Sequence, residues 1–231
     1  MEEIVLPGDP PVAIRLRRSR RSRRLSLRVS ALDGLVTMSV PARVDAREAR
    51  AFAAEKEAWI RRHLGARPAP ERPAIGGVLM YRGAETPVRA GAVRAVTEDA
   101  GALWVPERKA EAAPVLLRAF LKERARAALV AASDAHAASL GRRYGRITLR
   151  DTRSRWGSCS SEGNLMYSWR LIMAPPEVLD YVAAHEVAHL EQMNHSPAYW
   201  AVVERLMPGY ATPRDWLRRN GAALHSWHFG D

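Results

Sequence analysis

The sequence predicts an α+β protein in two parts. Residues 1–108 read as a small, basic, β-rich region with one helix, and residues 109–231 as a domain whose histidine-bearing helix lies beside a small antiparallel sheet. Three observations predict this. Apolar and basic residues alternate over 12–17 and 23–29, the period of half-buried strands. Apolar residues recur at helical spacing over about 112–140 and 176–190. A segment rich in Pro and Gly, residues 66–77, interrupts both patterns and reads as a linker or long loop.

The elements follow in order. Ile14 and Leu16, then Leu25, Leu27 and Val29, face inward on two strands. Asp33-Gly34 marks a turn, and residues 35–40 make a further strand. Asp45 caps a helix running to about Leu64, with Gly65 at its end. Short strands are expected at 78–81, 86–90 and 103–105. The helix over 112–140 is rich in Ala, Leu and Arg, has Pro114 in its first turn and stops at Gly141; His136 is a packing or surface residue within it. Residues 146–150 and 164–171 read as strands joined by a turn-rich connection over 153–163. Ala174-Pro175-Pro176-Glu177 starts the next helix, with Pro in its first turn and an acid at the positive end of the dipole. Val178, Leu179, Val182, Ala183, Val187 and Leu190 give it one broad apolar side, and Asn194 is expected in a left-handed conformation beyond its end. Ser196-Pro197 opens a helix to about Met207, stopped by Pro208-Gly209. Thr212-Pro213-Arg214-Asp215 opens the last, which ends at Asn220-Gly221. No repeat is visible in the sequence.

Composition narrows the class. A chain of 231 residues, 47% of them apolar, can bury a sizeable core. The acidic start, Met1-Glu2-Glu3, has no apolar run of a signal peptide, and no stretch approaches the ~18 apolar residues of a membrane span. The single cysteine, Cys159, excludes an internal disulfide and fits a reducing, cytoplasmic setting. The net charge of +11 is uneven: residues 1–110 hold 21 Lys/Arg against 13 Asp/Glu, the remainder 15 against 12. Much of the excess lies in Arg15, Arg17, Arg18, Arg20, Arg21, Arg23, Arg24 and Arg28. Such a cluster can neutralise phosphates and bind nucleic acid. It also reads as a solvated basic hairpin, since no aromatic residues interleave with it.

The strongest chemical signal is His185-Glu186-Val187-Ala188-His189, followed six residues later by His195. Positions i and i+4 share one helix face, so two imidazoles can grip one metal ion while the glutamate between them serves as general base. A third histidine completes a three-ligand zinc site with an open fourth position, the mark of a catalytic rather than structural ion. A chance match to the five-residue pattern in such a chain is on the order of one in a hundred. Cys159 is either a fourth ligand or a buried, inert thiol. The stretch Asn164-Leu165-Met166-Tyr167-Ser168-Trp169-Arg170 is the candidate sheet edge for a peptide, which nominates Asn164, Met166 and Ser168 as substrate contacts; an ordinary structural strand is the equal alternative. Tyr199, also nominated for substrate binding, stands with Tyr210, His225 and His228 as a possible donor to an oxyanion.

Three blocks resemble the YgjP-like metallopeptidase domain, a bacterial zincin family akin to the SprT and Wss-like proteases. They are Arg155-Trp156-Gly157-Ser158-Cys159-Ser160-Ser161; Asn164 through Trp169-Arg170-Leu171 to Ala174-Pro175-Pro176; and His185 through Leu190 to Met193-Asn194-His195-Ser196-Pro197 and Tyr199-Trp200. The resemblance implies a zincin-like fold over 109–231, one Zn2+ per chain held by His185, His189 and His195, Glu186 as catalytic base, and a peptide or protein substrate. Two rivals stay open: a zinc hydrolase of non-peptide amides, and a nucleic-acid-associated protein. In the latter, Arg17, Arg18, Arg20, Arg21, Arg23 and Arg24 would either recruit a protease to DNA or serve a binding module with a structural metal.

Overall fold

Hydrophobic alternation sets the first sheet. In the computed structural model, which describes residues 2–30, 34–65 and 69–230, the chain divides into two compact units, Met1–Ala69 and Pro70–Asp231. The first holds β1 (Glu3–Leu6), β2 (Val12–Ser19), β3 (Ser26–Val29) and β4 (Val36–Pro41) in the order β1-β2-β4-β3. Ile14, Leu16, Val36 and Met38 point to one side and bury beneath the helices with Ala49, Ala53 and Ile60. The expected turn residue Asp33 lies outside the described residues, as do 66–68 of the expected linker.

One helix was expected after Asp45; there are two, α1 (Ala46–Glu55) and α2 (Glu57–Gly65). Asp45 caps the first, accepting from the N–H of Glu48 at 2.7 Å. The break falls at Lys56 (φ −93°, ψ 5°). Neither Gly nor Pro stands there, which is why periodicity alone reads a single helix.

The second unit begins with β5 (Val78–Tyr81), β6 (Ala84–Gly91), β7 (Thr97–Asp99) and β8 (Ala102–Pro106), ordered β5-β6-β8-β7. This repeats the first sheet's topology: an antiparallel pair, a parallel pair, then an antiparallel pair. The repeat is architectural and invisible in the residues, because a half-buried sheet constrains only the alternation of apolar positions. The sequence places the domain boundary at 108/109, whereas the compact units part at 69/70. The reason is burial: Leu79, Val88, Leu103 and Val105 share one core with Leu117, Leu121 and Leu129 of α3 (Ala113–Leu140). That helix ends, as expected, at Gly141 in the left-handed conformation (φ 61°).

A third sheet, β10-β11-β9, is built from β9 (Ile147–Arg150), β10 (Gly157–Cys159) and β11 (Leu165–Ser168). It is mixed rather than antiparallel as expected, since β11 pairs antiparallel with β10 but parallel with β9. Three helices follow: α4 (Pro176–Ala188), α5 (Pro197–Leu206) and α6 (Ala211–Leu224). The last was expected to stop at Asn220-Gly221 but runs on to Leu224. Gly221 serves close packing instead, because a Cβ there would lie 2.9 Å from the ring of Trp156. Buried Arg170 ties this end of the chain down, donating to both Asp151 oxygens (2.6 and 3.0 Å) and to the carbonyls of Leu224 and Trp227 (2.9 Å each). No described helix is long and apolar enough to cross a membrane.

Candidate metal centre

Helix α4 carries the first two histidines. Pro176 occupies its first turn and Glu177 faces its positive end. An apolar stripe with the histidines at its edge was expected; in the structure α4 is enclosed nearly all round, with Tyr181, Ala184, Glu186 and Ala188 buried besides the stripe. His185 lies in the last turn and His189 is the C-cap (φ −66°, ψ −17°). Asn194 does not take the expected left-handed conformation, for Arg82 and Ala100 are the non-glycine residues with positive φ among those described. Asn194 instead shapes the turn through its side chain, Oδ1 accepting from the N–H of Ser196 at 3.1 Å. Ser196 then caps α5 by accepting from the N–H of Tyr199. This turn returns His195 to α4.

The three rings converge. A nitrogen of each lies within 4.8 Å of the others, and the Nε2 atoms of His185 and His195 are 3.2 Å apart. Two nitrogens bound at 2.0–2.1 Å to one tetrahedral zinc stand roughly 3.3 Å apart, so the pair has the spacing such an ion requires. Nδ1 of His189 lies 3.0 Å from the carbonyl of Gln192, which fixes the tautomer and turns Nε2 toward its neighbours. His185 Nδ1 is buried without a hydrogen-bond partner, so packing orients this ring, between Tyr181, Tyr199 and Trp200 at centroid distances of 5.9, 5.3 and 5.8 Å. Burial, reinforced by the other two histidines, pushes His185 down to about 3; burial also lowers His189. Both are therefore neutral at physiological pH, the form that ligates metal.

Glu186 leaves the helix toward β10. It is 5% exposed, and burial raises its carboxyl to about 8 against the opposing charge of Arg155. A Cβ built on Gly157 would lie 2.4 Å from Oε1 of Glu186 and 2.6 Å from its Cγ, so the strand admits this carboxylate only because residue 157 has no side chain. Gly157→Ala is accordingly expected to displace this carboxylate while leaving the histidines in place. Turnover should fall on the order of 10²-fold with metal content unchanged, measured by steady-state kinetics beside elemental analysis.

Several sequence expectations are corrected here. β11 is the central strand, paired on both sides, so it cannot accept a peptide as an added strand. Asn164 braces the hairpin: its Oδ1 accepts from the N–H of Arg146 at 3.2 Å and its Nδ2 donates to Glu162 at 3.0 Å. Ser168 is fully buried, and Met166 sits between Ser158 and Thr148 in the ladder. The sheet's edges are β9 and β10, and the one against Glu186 is β10, which the sequence reading placed within a turn-rich connection. Ser168 N–H bonds to Trp156 O and Ser160 N–H to Asn164 O, so even-numbered residues pair with β11 and the main-chain groups of Gly157 and Cys159 face outward. Tyr199 is fully buried and its hydroxyl donates to the carbonyl of His185 at 2.9 Å, a supporting contact at the end of α4. Tyr210 stacks on Trp200, His225 lies against Trp156, and His228 Nδ1 is engaged with Ser226 O. His136 bonds Asp180 at 2.8 Å, a packing role as expected. Cys159 is half-buried; burial and the charge of Glu186 push its thiol up to about 11, and the convergent ligand cluster comprises the three histidines without it. The sequence reading passed over Arg155, whose charge reaches Glu186; its place beside Trp156-Gly157 was the available signal.

The YgjP-like metallopeptidase domain matches residues 23–220. The chain belongs to this family. As a YgjP-like protein it is a metallopeptidase, and the family implies a metal, for which the histidine triad is the candidate site. Among solved structures, the crystal structure of the metallopeptidase zymogen of Pyrococcus abyssi abylysin is similar over 42% of this chain and 93% of its own, at 22% identity and a TM-score of 0.35. No curated protein matches the YgjP-like chain.

Proposed function

We infer that the protein is a zinc metallopeptidase of the HExxH type, with His185, His189 and His195 as ligands and Glu186 as general base. The observation that carries this is the juxtaposition of three convergent imidazoles with a buried carboxylate lying against an edge strand. When bound, zinc would supply Lewis-acid activation of a water molecule and of the scissile carbonyl. The chain's own residues do the rest. Outward main-chain groups of Gly157 and Cys159 can hold an extended peptide by strand addition, which directs its carbonyl toward the triad. In its ionised form, which a dication held by the triad would favour, Glu186 then takes the proton of the attacking water and passes it to the leaving amine. Its burial keeps competing solvent from the carboxylate.

Hydrolysis of a denatured protein substrate should vanish on chelation and return on adding about one equivalent of Zn2+ per chain. Activity that persists after complete metal removal would exclude this reading. A peptide is favoured over a non-peptide amide by the open edge of β10, since strand addition needs a repeating main chain.

A further inference from the structure

The first unit carries a basic surface made of residues other than those assigned to the histidine site. While Ile14, Leu16, Val36 and Met38 fill its core, the opposite sheet face holds Arg15 and Arg17 of β2, Thr37 and Ser39 of β4, and Ser26 and Arg28 of β3. The register aligns them in two rows, Arg15–Thr37–Arg28 and Arg17–Ser39–Ser26. Strand spacing puts Arg15 about 7 Å from Arg17 along β2 and about 10 Å from Arg28 across the sheet. All three arginines are exposed.

The turn after β2 extends the surface. Ser19 Oγ accepts from the N–H groups of Arg21 and Ser22 at 3.3 Å each, which fixes the turn. Beyond it, Arg20, Arg23 and Arg43 surround a concavity of about 400 Å³, with Arg43 anchored to the carbonyl of Arg23 at 3.2 Å. None of these six arginines is in an ion pair with a described residue. Glu3, opposite Arg15 on β1, is an acid flanking the face. Arg18, by contrast, is committed: it pairs with Glu2 at 3.1 Å and donates to Val44 O at 3.0 Å.

We propose that this face and turn bind the phosphate backbone of duplex nucleic acid. Guanidinium groups present planar, paired donors to phosphate and stay charged at any physiological pH. Thr37 and Ser39 add hydroxyls at the middle of each row, on the strand between β2 and β3; these residue types commonly contact phosphate oxygens. No aromatic side chain stands in either row, so there is no platform for unstacked bases, and contacts fall on the backbone without regard to sequence. The proposal is independent of chemistry at the histidine triad.

The test is fluorescence anisotropy of the full chain with short labelled duplexes of two unrelated sequences. Both should bind equally, with log K falling against log salt at a slope of about −5 for six neutralised phosphates, between about 50 and 200 mM salt. Arg15→Thr with Arg17→Thr and Arg28→Thr keeps strand-forming residues on the face; it should flatten the slope by about three and weaken low-salt binding roughly tenfold or more. Arg20→Ser with Arg23→Ser, which leaves every strand residue intact, should flatten it by about two. Arg47→Ser with Arg50→Ser and Arg62→Ser removes the same charge from the helices and should leave the slope unchanged. The proposal is overturned if wild type fails to bind at low salt. It is also overturned if the helical triple substitution costs as much as the sheet triple, or if phosphatidylserine vesicles are bound in preference to duplex.

Discussion

Replacing Glu186 by Gln is expected to leave metal in place and to cut turnover by about 10²- to 10⁴-fold. The amide has the carboxylate's shape but cannot take a proton, so the loss should fall on kcat. Metal content should be unaffected, because the convergent nitrogens belong to His185, His189 and His195. The fold should not suffer either. Burial raises the Glu186 carboxyl from its ordinary 4.5 to about 8. A carboxyl raised in this way weakens folding as pH rises through that window, because the unfolded chain ionises first. A neutral Gln escapes that cost, so the metal-free variant should unfold at a temperature equal to or above metal-free wild type at neutral pH. Wild-type turnover in Glu186→Gln would remove Glu186 from the role of base. A loss of turnover accompanied by loss of metal would assign it to holding the site instead.

The convergence of the three histidines was legible because its parts are local. His185 and His189 are one helical turn apart, and Ser196-Pro197 marks the start of the helix that returns His195. What the sequence hid depends on pairing between distant residues. β10 is only Gly157-Ser158-Cys159, too short for an alternation signal, and its place at the sheet edge follows from how residues 147–150 and 165–168 pair. A strand such as β11 looks the same from its own residues whether it lies at an edge or in the middle, so the choice between a peptide-binding edge and an ordinary structural strand stayed open until the pairing placed it in the middle. The domain boundary escaped for a similar reason. Leu79, Val88 and Leu103 advertise a buried face but not that its partner is the helix bearing Leu117 and Leu121. Gly221 reads as a helix stop by residue type, and only the neighbouring ring of Trp156 explains why a glycine stays inside α6.

Loss of one ligand has a second large expected effect. His189→Ala would leave two imidazoles, too few to hold a four-coordinate zinc with one open position. Disturbing only the groups that orient ligands typically costs 10- to 100-fold in affinity, so removing a ligand should cost roughly 10²-fold or more. The His189 ring also stacks on Tyr199 at 4.5 Å and closes the turn through Gln192 O, so some stability should go with it. Unfolding melts of the metal-free proteins separate that packing loss from the loss of metal binding.

The most direct measurement is metal content by elemental mass spectrometry, on the purified wild type and on His189→Ala, each after zinc is added back and excess removed. The expected result is about one zinc per wild-type chain and almost none in the variant, with both proteins folded. A wild type that holds no stoichiometric metal, or a His189→Ala variant that retains it in full, would contradict the assignment of His185, His189 and His195 as the metal site.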